Sequence, residues 1–316
     1  MTETQNKNIN GILNLKKPSG CSSHDMVYFV RRLFGIKKVG HTGTLDPMAS
    51  GVLPMLLGSA TKLSDLLLAR KKSYRAVLKL GISTDTMDTS GKITKRANGF
   101  RLPGFEEVEE AAKSFVGDIW QKPPIYSAIK INGKKLYDYA RENKEVEPEP
   151  RAVSIYSIKC GQTEVLGEYI LDIECSKGTY VRSLCHDIGE MLSCGGAMAG
   201  LERTRSGNFD ISGSYLPEYL EKHKSNSGVE SLCSLLVSCE DILKEVAQKK
   251  MVLEEFYSKL AKNGAEIYIH KLKAENPGNF CLGDKVLMYS CENILFALGE
   301  IQNYEQGPAC KPIIFI

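Results

Sequence analysis

No apolar run in this sequence approaches the roughly 18 uninterrupted residues that a membrane-spanning helix needs, so no membrane span is expected. Met1 to Asn10 is polar and lacks the apolar centre of a secretory signal. Paired cysteines are missing too. The ten present form no CxxC pair, which removes the common zinc and redox patterns. Most of them sit inside apolar patterns, where a free thiol packs as a small hydrophobe. A reducing cytoplasm is the expected setting. There is no GxxxxGK(S/T) phosphate loop and no cluster of His, Cys and acids at metal-ligand spacing. Net charge is also scarce. At +3 over 316 residues it does not by itself demand a polyanionic partner.

The distribution of that charge says more. Arg31, Arg32, Lys37, Lys38, Arg70, Lys71, Lys72 and Arg75 crowd the first quarter with few acids between them. Lys130, Lys134 and Lys135 follow a Pro-Pro step, whereas Glu106, Glu107, Glu109, Glu110, Glu145, Glu147 and Glu149 gather elsewhere. Such polarity suits phosphate binding, and it is equally compatible with an ordinary solvated face.

The chain is 42% hydrophobic, enough for a sizeable core, and its length suggests about two domains. Ile9 to Leu15 reads as a strand ended by the turn Lys17-Pro18-Ser19-Gly20. Ser22 or Ser23 can cap a helix with Met26, Val27, Val30, Leu33 and Phe34 on its apolar stripe, and Gly35 stops it. Thr61 to Ala69, Phe105 to Val116 and Tyr180 to Leu192 read as helices; Tyr74 to Leu80, Val153 to Cys160 and Tyr169 to Cys175 read as strands. Strand and helix do not alternate strictly. The expectation is therefore an α+β fold with a mixed or antiparallel central sheet flanked by helices. Glu221 to Ser231, polar and rich in Ser and Gly, reads as a surface loop or hinge. From about Met251, short runs at Ala265 to Ile269, Lys285 to Tyr289, Ile294 to Leu298 and Ile313 to Ile316 suggest a small β-rich module.

The densest site-like stretch runs from Gly40 to Gly51, GHTGTLDPMASG. Its glycines allow close approach of a ligand, and Pro47 biases Asp46 away from helical backbone angles, presenting its carboxylate from an extended loop. An Asx-type structural turn explains the same residues.

This stretch, with Ala49, Gly51 and Leu53, resembles the signature of the TruB family of tRNA pseudouridine synthases. Asn14 to Gly20, Lys72 to Arg75, Pro123 to Ala128, Cys175 to Arg182 and Leu201 to Gly207 are similar to further family segments, in the same order. The resemblance covers roughly residues 9 to 245. Ala297 to Ile301 is similar to the family's C-terminal PUA-like module. The resemblance implies the pseudouridine synthase fold, with a catalytic domain over residues 1–245, an RNA-clamping insertion at about 121–150, and a PUA-like RNA-binding module over 246–316.

It also implies an isomerase that converts a T-loop uridine of tRNA, uridine 55, to pseudouridine. Neither cofactor nor metal is implied. The partner is the T stem-loop of tRNA, with no guide RNA and no membrane, and the chain is expected to act as a cytoplasmic monomer. Asp46 matches the catalytic nucleophile. Arg182 matches its ionic partner, which would hold Asp46 ionised against the opposing effect of burial. Tyr74 matches the aromatic that stacks on the flipped uracil. His41 matches the residue that fills the space left by everted nucleotides, and Tyr180 and Leu201 match the lining of the uracil pocket. Lys17, Lys62, Lys130 and Arg203 are candidate phosphate contacts. Pattern alone would make Tyr74 a core aromatic and Arg182 a surface cation. Glu202 stands where the family usually carries Arg, which puts one phosphate contact in doubt. A tRNA-binding or tRNA-folding protein without chemistry, or a base-releasing glycosylase, would also use parts of this set.

Overall fold

The computed structural model describes residues 9–97, 101–127, 129–131, 133–142, 146–272 and 279–316. Residues 1–8 of the polar N-terminus, Ala128, Glu145 and the side chain of Lys135 lie outside that description.

The chain opens with β1 (Gly11–Lys17), α1 (Ser23–Phe34), β2 (Val39–His41) and β3 (Ser50–Leu57). A 3-10 turn (Gly58–Leu63) then leads through α2 (Ser64–Leu68) to β4 (Lys72–Leu80). The hairpin of β5 (Ile82–Thr84) and β6 (Ile93–Arg96) precedes α3 (Phe105–Lys113) and β7 (Gly117–Gln121). A second small hairpin, β8 (Lys130–Ile131) and β9 (Lys134–Lys135), runs into α4 (Leu136–Arg141). The long strands β10 (Arg151–Gln162) and β11 (Glu168–Cys175) follow, then α5 (Val181–Met191), β12 (Gly196–Ser206) and β13 (Phe209–Asp210). The remainder is α6 (Pro217–Cys233), α7 (Cys239–Lys244), β14 (Lys249–Val252), α8 (Glu255–Lys262), β15 (Ile267–Tyr268), β16 (Lys285–Tyr289), β17 (Leu295–Tyr304) and β18 (Gly307–Phe315).

The central sheet runs β1-β3-β12-β4-β11-β10-β7, with β2 added to β3 and β13 to β12. Every pairing is antiparallel except β3 with β12. This is the mixed, mostly antiparallel α+β sheet expected from the sequence. Helices α3 and α5 cover one face of β4, β10, β11 and β12, burying Ala76, Leu78, Ile155, Leu171, Leu184 and Ile188 in one core. Helices α1 and α6 build a second core on β1 and β3 around Leu13, Leu15, Val27, Val30, Leu53 and Met55. Tyr74 and Leu201 pack against both cores, so the boundary between them is where the expected site lies.

The other face of the sheet changes character along its width. Behind β1 and β3, Ile12, Val52 and Leu56 pack with α7 and with Leu287, Leu295 and Leu298 of a second sheet, ordered β14-β16-β17-β18-β15. Behind β12, β4 and β11 the side chains are charged and paired across strands. Lys16 lies 3.0 Å from Glu202 and Lys79 lies 2.9 Å from Glu168. Arg75 grips Asp172 with two hydrogen bonds of 2.7 and 2.8 Å.

Local chemistry explains most boundaries. Ser22 caps α1 in a reciprocal capping box with Asp25, and Gly35 ends it in the left-handed region at φ 70°. Two expectations need correcting. Glu221 to Ser231 is not a loop; it lies inside α6, whose helical path is broken only at Gly228 (φ 76°, ψ 176°). Proline at the start of α6 and burial of Leu220 and Leu232 against the α1 core outweigh the polar composition. Thr61 to Ala69 is a 3-10 turn followed by a five-residue helix rather than one helix.

Candidate active site

Asp46 sits in the loop between β2 and β3, and neighbouring elements fix that loop through its backbone. Ser23, in the first turn of α1, donates its hydroxyl to the Leu45 carbonyl (3.0 Å) and accepts from the Leu45 N–H (2.8 Å). The Asp46 carbonyl accepts from the Ala49 N–H at 3.0 Å, and the Pro47 carbonyl accepts from the Gly20 N–H at 2.8 Å. Gly51, at φ 107°, closes the loop against β12, where a Cβ would stand 2.3 Å from the Arg203 carbonyl oxygen. Only glycine permits that approach.

Lys17 lies beneath the loop. It is fully buried, and its ammonium donates to the carbonyls of Cys21 (2.6 Å), Pro18 (2.9 Å) and Pro47 (3.4 Å). All three donors are used inside the fold. The expectation that Lys17 meets phosphate is therefore corrected: it braces the turn behind Asp46. Burial lowers its pKa, and nearby Cys21 and Asp46 oppose that shift.

Arg182, in the first turn of α5, is buried rather than on the surface. Its Nε lies 3.0 Å from Oδ2 of Asp46, and its Nη1 lies 3.4 Å from Oδ2 of Asp88. Nη1 also donates to the Thr86 carbonyl (3.3 Å) and Nη2 to the Tyr126 carbonyl (2.9 Å). The guanidinium thus occupies the space between two carboxylates. No group of three or more His, Cys, Asp or Glu able to hold a metal ion exists among the described residues.

Asp88 is the residue that sequence reasoning missed. It is buried and held by the Thr86 hydroxyl (2.8 Å), the Ser90 N–H (3.0 Å) and the Ser90 hydroxyl. The turn carrying it includes Met87 at φ 62°, an unusual angle for a side chain of that size. Bonds from Thr89 N–H to the Met198 carbonyl (3.0 Å) and from Met198 N–H to the Met87 carbonyl (3.0 Å) hold the turn to β12. The run Thr84-Asp85-Thr86-Met87-Asp88-Thr89-Ser90-Gly91 carried the signal of such a turn, but nothing in it points to Arg182.

The balance of charge differs from expectation. Burial raises the pKa of Asp46; Arg182 pulls the other way without overcoming it, and Asp88 adds a smaller upward push. Desolvation is the larger effect at this carboxylate. Burial also raises the phenols of Tyr74 and Tyr180.

These groups line one cavity of about 430 Å³. The loop supplies Gly43 to Asp46, β4 supplies Lys72 and Tyr74, and β12 supplies Leu201 and Arg203. Lys177 to Arg182 form the opposite wall, and Tyr126 and Ser127 close one side. The volume falls in the range of small-molecule pockets. Lys72 is buried, and its ammonium donates to the carbonyls of Leu68 and Arg70, each at 2.6 Å. Burial, with Arg203 nearby, lowers its pKa to about 8. The sequence placed Lys72 in a basic cluster and Lys177 in a family segment, without assigning either to the cavity.

Six of the expected site residues therefore meet: Asp46, Arg182, Tyr74, Tyr180, Leu201 and Arg203. Arg203 arrives in a different capacity from the one expected. It is 1% exposed, with Nε donating to the Val52 carbonyl (2.7 Å) and Nη2 to the Gly43 carbonyl (3.1 Å). Its guanidinium ties β3 and the glycine loop together rather than reaching outward for phosphate. Glu202, one residue earlier, points to the opposite face and pairs with Lys16. Its departure from the family pattern leaves the cavity wall untouched. His41 does not line the cavity; it ends β2, half-buried, with its Nδ1 buried and without a partner. Burial lowers its pKa, with Arg203 and His24 adding to the effect. Lys62 lies in the 3-10 turn, over the ring of Phe315 at 5.9 Å, and Lys130 is exposed on the β8–β9 hairpin. Neither lines the cavity.

Comparison with known proteins identifies the family. Residues 31–181 match the model of the TruB family pseudouridylate synthase N-terminal domain, and residues 182–244 match that of the tRNA pseudouridylate synthase B C-terminal domain. A tRNA pseudouridine synthase B of Alkaliphilus oremlandii is 46% identical over 265 residues, which is 84% of this chain and 85% of that one. Its counterpart in Clostridioides difficile is 42% identical over 307 residues, 96% of this chain and 98% of the relative. Among solved structures, a chain of a Cbf5-Nop10-Gar1 complex superposes with a TM-score of 0.68 at 25% identity, covering 98% of this chain and 85% of that one. A chain of the archaeal box H/ACA Nop10-Cbf5 complex gives the same TM-score at 24% identity, covering 98% and 86%, a likeness of fold.

Proposed function

The chain belongs to the TruB family of pseudouridylate synthases, which are isomerases, and from that premise we propose that it converts a T-loop uridine of tRNA, uridine 55, to pseudouridine with Asp46 as the nucleophile. In this reaction the N1–C1′ glycosidic bond breaks, the uracil turns, and a C5–C1′ bond forms. C5 gives up its proton and N1 gains one, so atoms and electrons balance without a cofactor. A carboxylate suits the task because it can attack an electron-poor carbon or stabilise positive charge developing on the sugar.

The observation that carries the proposal is the Asp46 carboxylate 3.0 Å from the buried Arg182 guanidinium, in a cavity shared with Tyr74. Arg182 orients Asp46 and partly offsets the cost of holding its charge out of water. Tyr74 stacks on the flipped base, and Tyr180 and Leu201 keep bulk water from an intermediate that water would hydrolyse. His41 fills the gap that the everted nucleotides leave in the RNA. Lys62 and Lys130 meet phosphates outside the cavity, and Arg203 shapes the pocket from within. The insertion at about 121–150 closes over the stem-loop, and residues 246–316 add a PUA-like RNA-binding module to the catalytic domain of 1–245. The chain works as a cytoplasmic monomer without guide RNA.

Tritium release from a T-stem-loop transcript labelled at uridine C5 tests the role of Asp46. Asp46→Ala is expected to abolish release while tRNA affinity stays within about an order of magnitude. Undiminished release would remove Asp46 from the mechanism. RNA affinity is also expected to fall steeply with salt, because phosphate contacts release counterions.

A further inference from the structure

We propose that the hydroxyl of Ser127 is a further recognition contact for the base, donating a hydrogen bond to a ring carbonyl of the flipped uracil. The inference rests on the functional reading above and adds a residue to it.

The argument starts from an unmet requirement. A hydroxyl taken out of water without a partner costs stability, so buried hydroxyls are nearly always bonded. Among the described residues, seven buried side-chain N or O atoms have no hydrogen-bond partner: those of Asn14, Arg31, His41, Thr42, Ser127, His186 and His223. Of these residues, Ser127 alone lines the cavity that holds Asp46 and Tyr74. It is 5% exposed, so water does not take the partner's place freely. The Tyr180 phenol lies beside the hydroxyl and senses it, yet the pair does not reach hydrogen-bond geometry. A hydroxyl donates once and accepts twice. Uracil, unpaired from the RNA, brings two carbonyl oxygens that have lost their own partners and need a donor inside the pocket.

The segment carrying Ser127 is built to hold that contact in place. The Gln121 side chain brackets the start of α5, accepting from the Tyr180 N–H (2.7 Å) and donating to the Tyr180 carbonyl (3.0 Å). Ser183 donates its hydroxyl to the Lys122 carbonyl at 3.0 Å. The carbonyl of Tyr126, the residue before Ser127, accepts from Arg182 at 2.9 Å. One dipeptide therefore touches the Asp46 partner through its backbone and lines the cavity that would take the base. Recognition of the base at Ser127 is coupled to the position of Arg182.

The test pairs a change in the protein with a change in the base, because a merely structural serine would not show coupling between them. T-stem-loop RNAs carrying uridine, 2-thiouridine or 4-thiouridine at the target are compared on the unaltered chain, Ser127→Ala and Ser127→Thr, reading kcat/KM for isomerisation. Sulfur accepts hydrogen bonds poorly. One of the two thio RNAs is expected to react about tenfold more slowly than uridine RNA on the unaltered chain. Ser127→Ala is expected to lose about tenfold on uridine RNA and to show no further loss with that thio RNA. Ser127→Thr keeps the hydroxyl and is expected to restore the discrimination. Equal thio penalties in the unaltered chain and Ser127→Ala would overturn the proposal, as would an unchanged kcat/KM for Ser127→Ala. Should Ser127→Ala fail to fold, equal rates of all three RNAs on the unaltered chain would overturn it alone. A chain that makes no pseudouridine from uridine RNA sinks the functional reading and this contact with it. Pseudouridine formed without the coupled thio effect sinks only the contact.

Discussion

Arg203 and Glu202 are neighbours in β12, yet they belong to different worlds. Arg203, on the cavity face, is buried and spends its donors on the Val52 and Gly43 carbonyls. Glu202, on the opposite face, sits in a partly exposed row of cross-strand ion pairs with Lys16 and, one strand further, Arg75 and Asp172. The same contrast separates Tyr74 from Arg75 on β4. A strand alternates sides at every residue, so a step of one decides whether a side chain shapes the chemistry or decorates the sheet. The lesson is that charge alone does not identify a substrate contact. The face does.

The comparison is sharpest at Asp46, and the largest effect is expected there. Asp46→Asn keeps the shape and removes the carboxylate, so turnover is expected to fall by roughly 10³-fold or more. Burial raises the Asp46 pKa above its unfolded value, so the folded chain holds that proton more tightly. The ionised carboxylate therefore subtracts stability above the folded pKa, and that penalty disappears as pH falls below the unfolded pKa. Asp46→Asn is expected to melt no lower than the unaltered chain at pH 7, with any advantage shrinking as pH falls toward 4. A variant that melts well below the unaltered chain at pH 7 would contradict the balance of burial over Arg182.

Asp88 comes next. It touches the site only through Arg182, so Asp88→Ala is expected to lower kcat by about 10²-fold with KM little changed, through misplacement of the guanidinium. A change confined to KM would show that Asp88 serves RNA binding instead. The two faces then separate in stability. Arg203→Ala is expected to lose roughly 2–4 kcal/mol in urea unfolding, because it breaks charge-assisted bonds and opens buried space. Glu202→Ala is expected to lose about 1 kcal/mol or less. Equal losses would erase the distinction between faces.

The smallest effect concerns Lys72. Two of its N–H groups serve the Leu68 and Arg70 carbonyls, leaving one for the cavity. Its charge is lost as pH rises through about 8. T-stem-loop affinity is expected to weaken a few-fold between pH 7 and 8.5, and Lys72→Met is expected to be weaker at pH 7 and flat over that interval. Parallel pH curves for the two chains would exclude Lys72 from phosphate binding.

Much of this was legible in the sequence because local rules agreed with the final packing. The capping of α1, the alternation of β4 and β11, and the stripe of α5 were all read within a few residues of their ends. Asp46, Tyr74, Arg182, Tyr180 and Leu201 were named from short motifs. What escaped depends on contacts between distant segments. β3 hid behind glycine and Pro54, and it is a strand because Pro54 falls between the stretches paired to β12 and to β2. Asp88 lies in a turn whose residues carry no sign of a partner, 94 residues from the arginine it meets. Lys17 and Arg203 read as phosphate contacts because burial of a charge is paid for by backbone carbonyls that no side-chain pattern reveals. The polar run in α6 is helical against its composition, because the few residues that face α1 stabilise it.

The most direct measurement is to map pseudouridine, base by base, in a full-length tRNA transcript after incubation with either the purified chain or its Asp46→Asn variant. The expected result is a single new pseudouridine in the T loop with the unaltered chain and none with the variant. Pseudouridine formed equally by both, or formed only outside the T loop, would contradict the assignment of this carboxylate and this substrate.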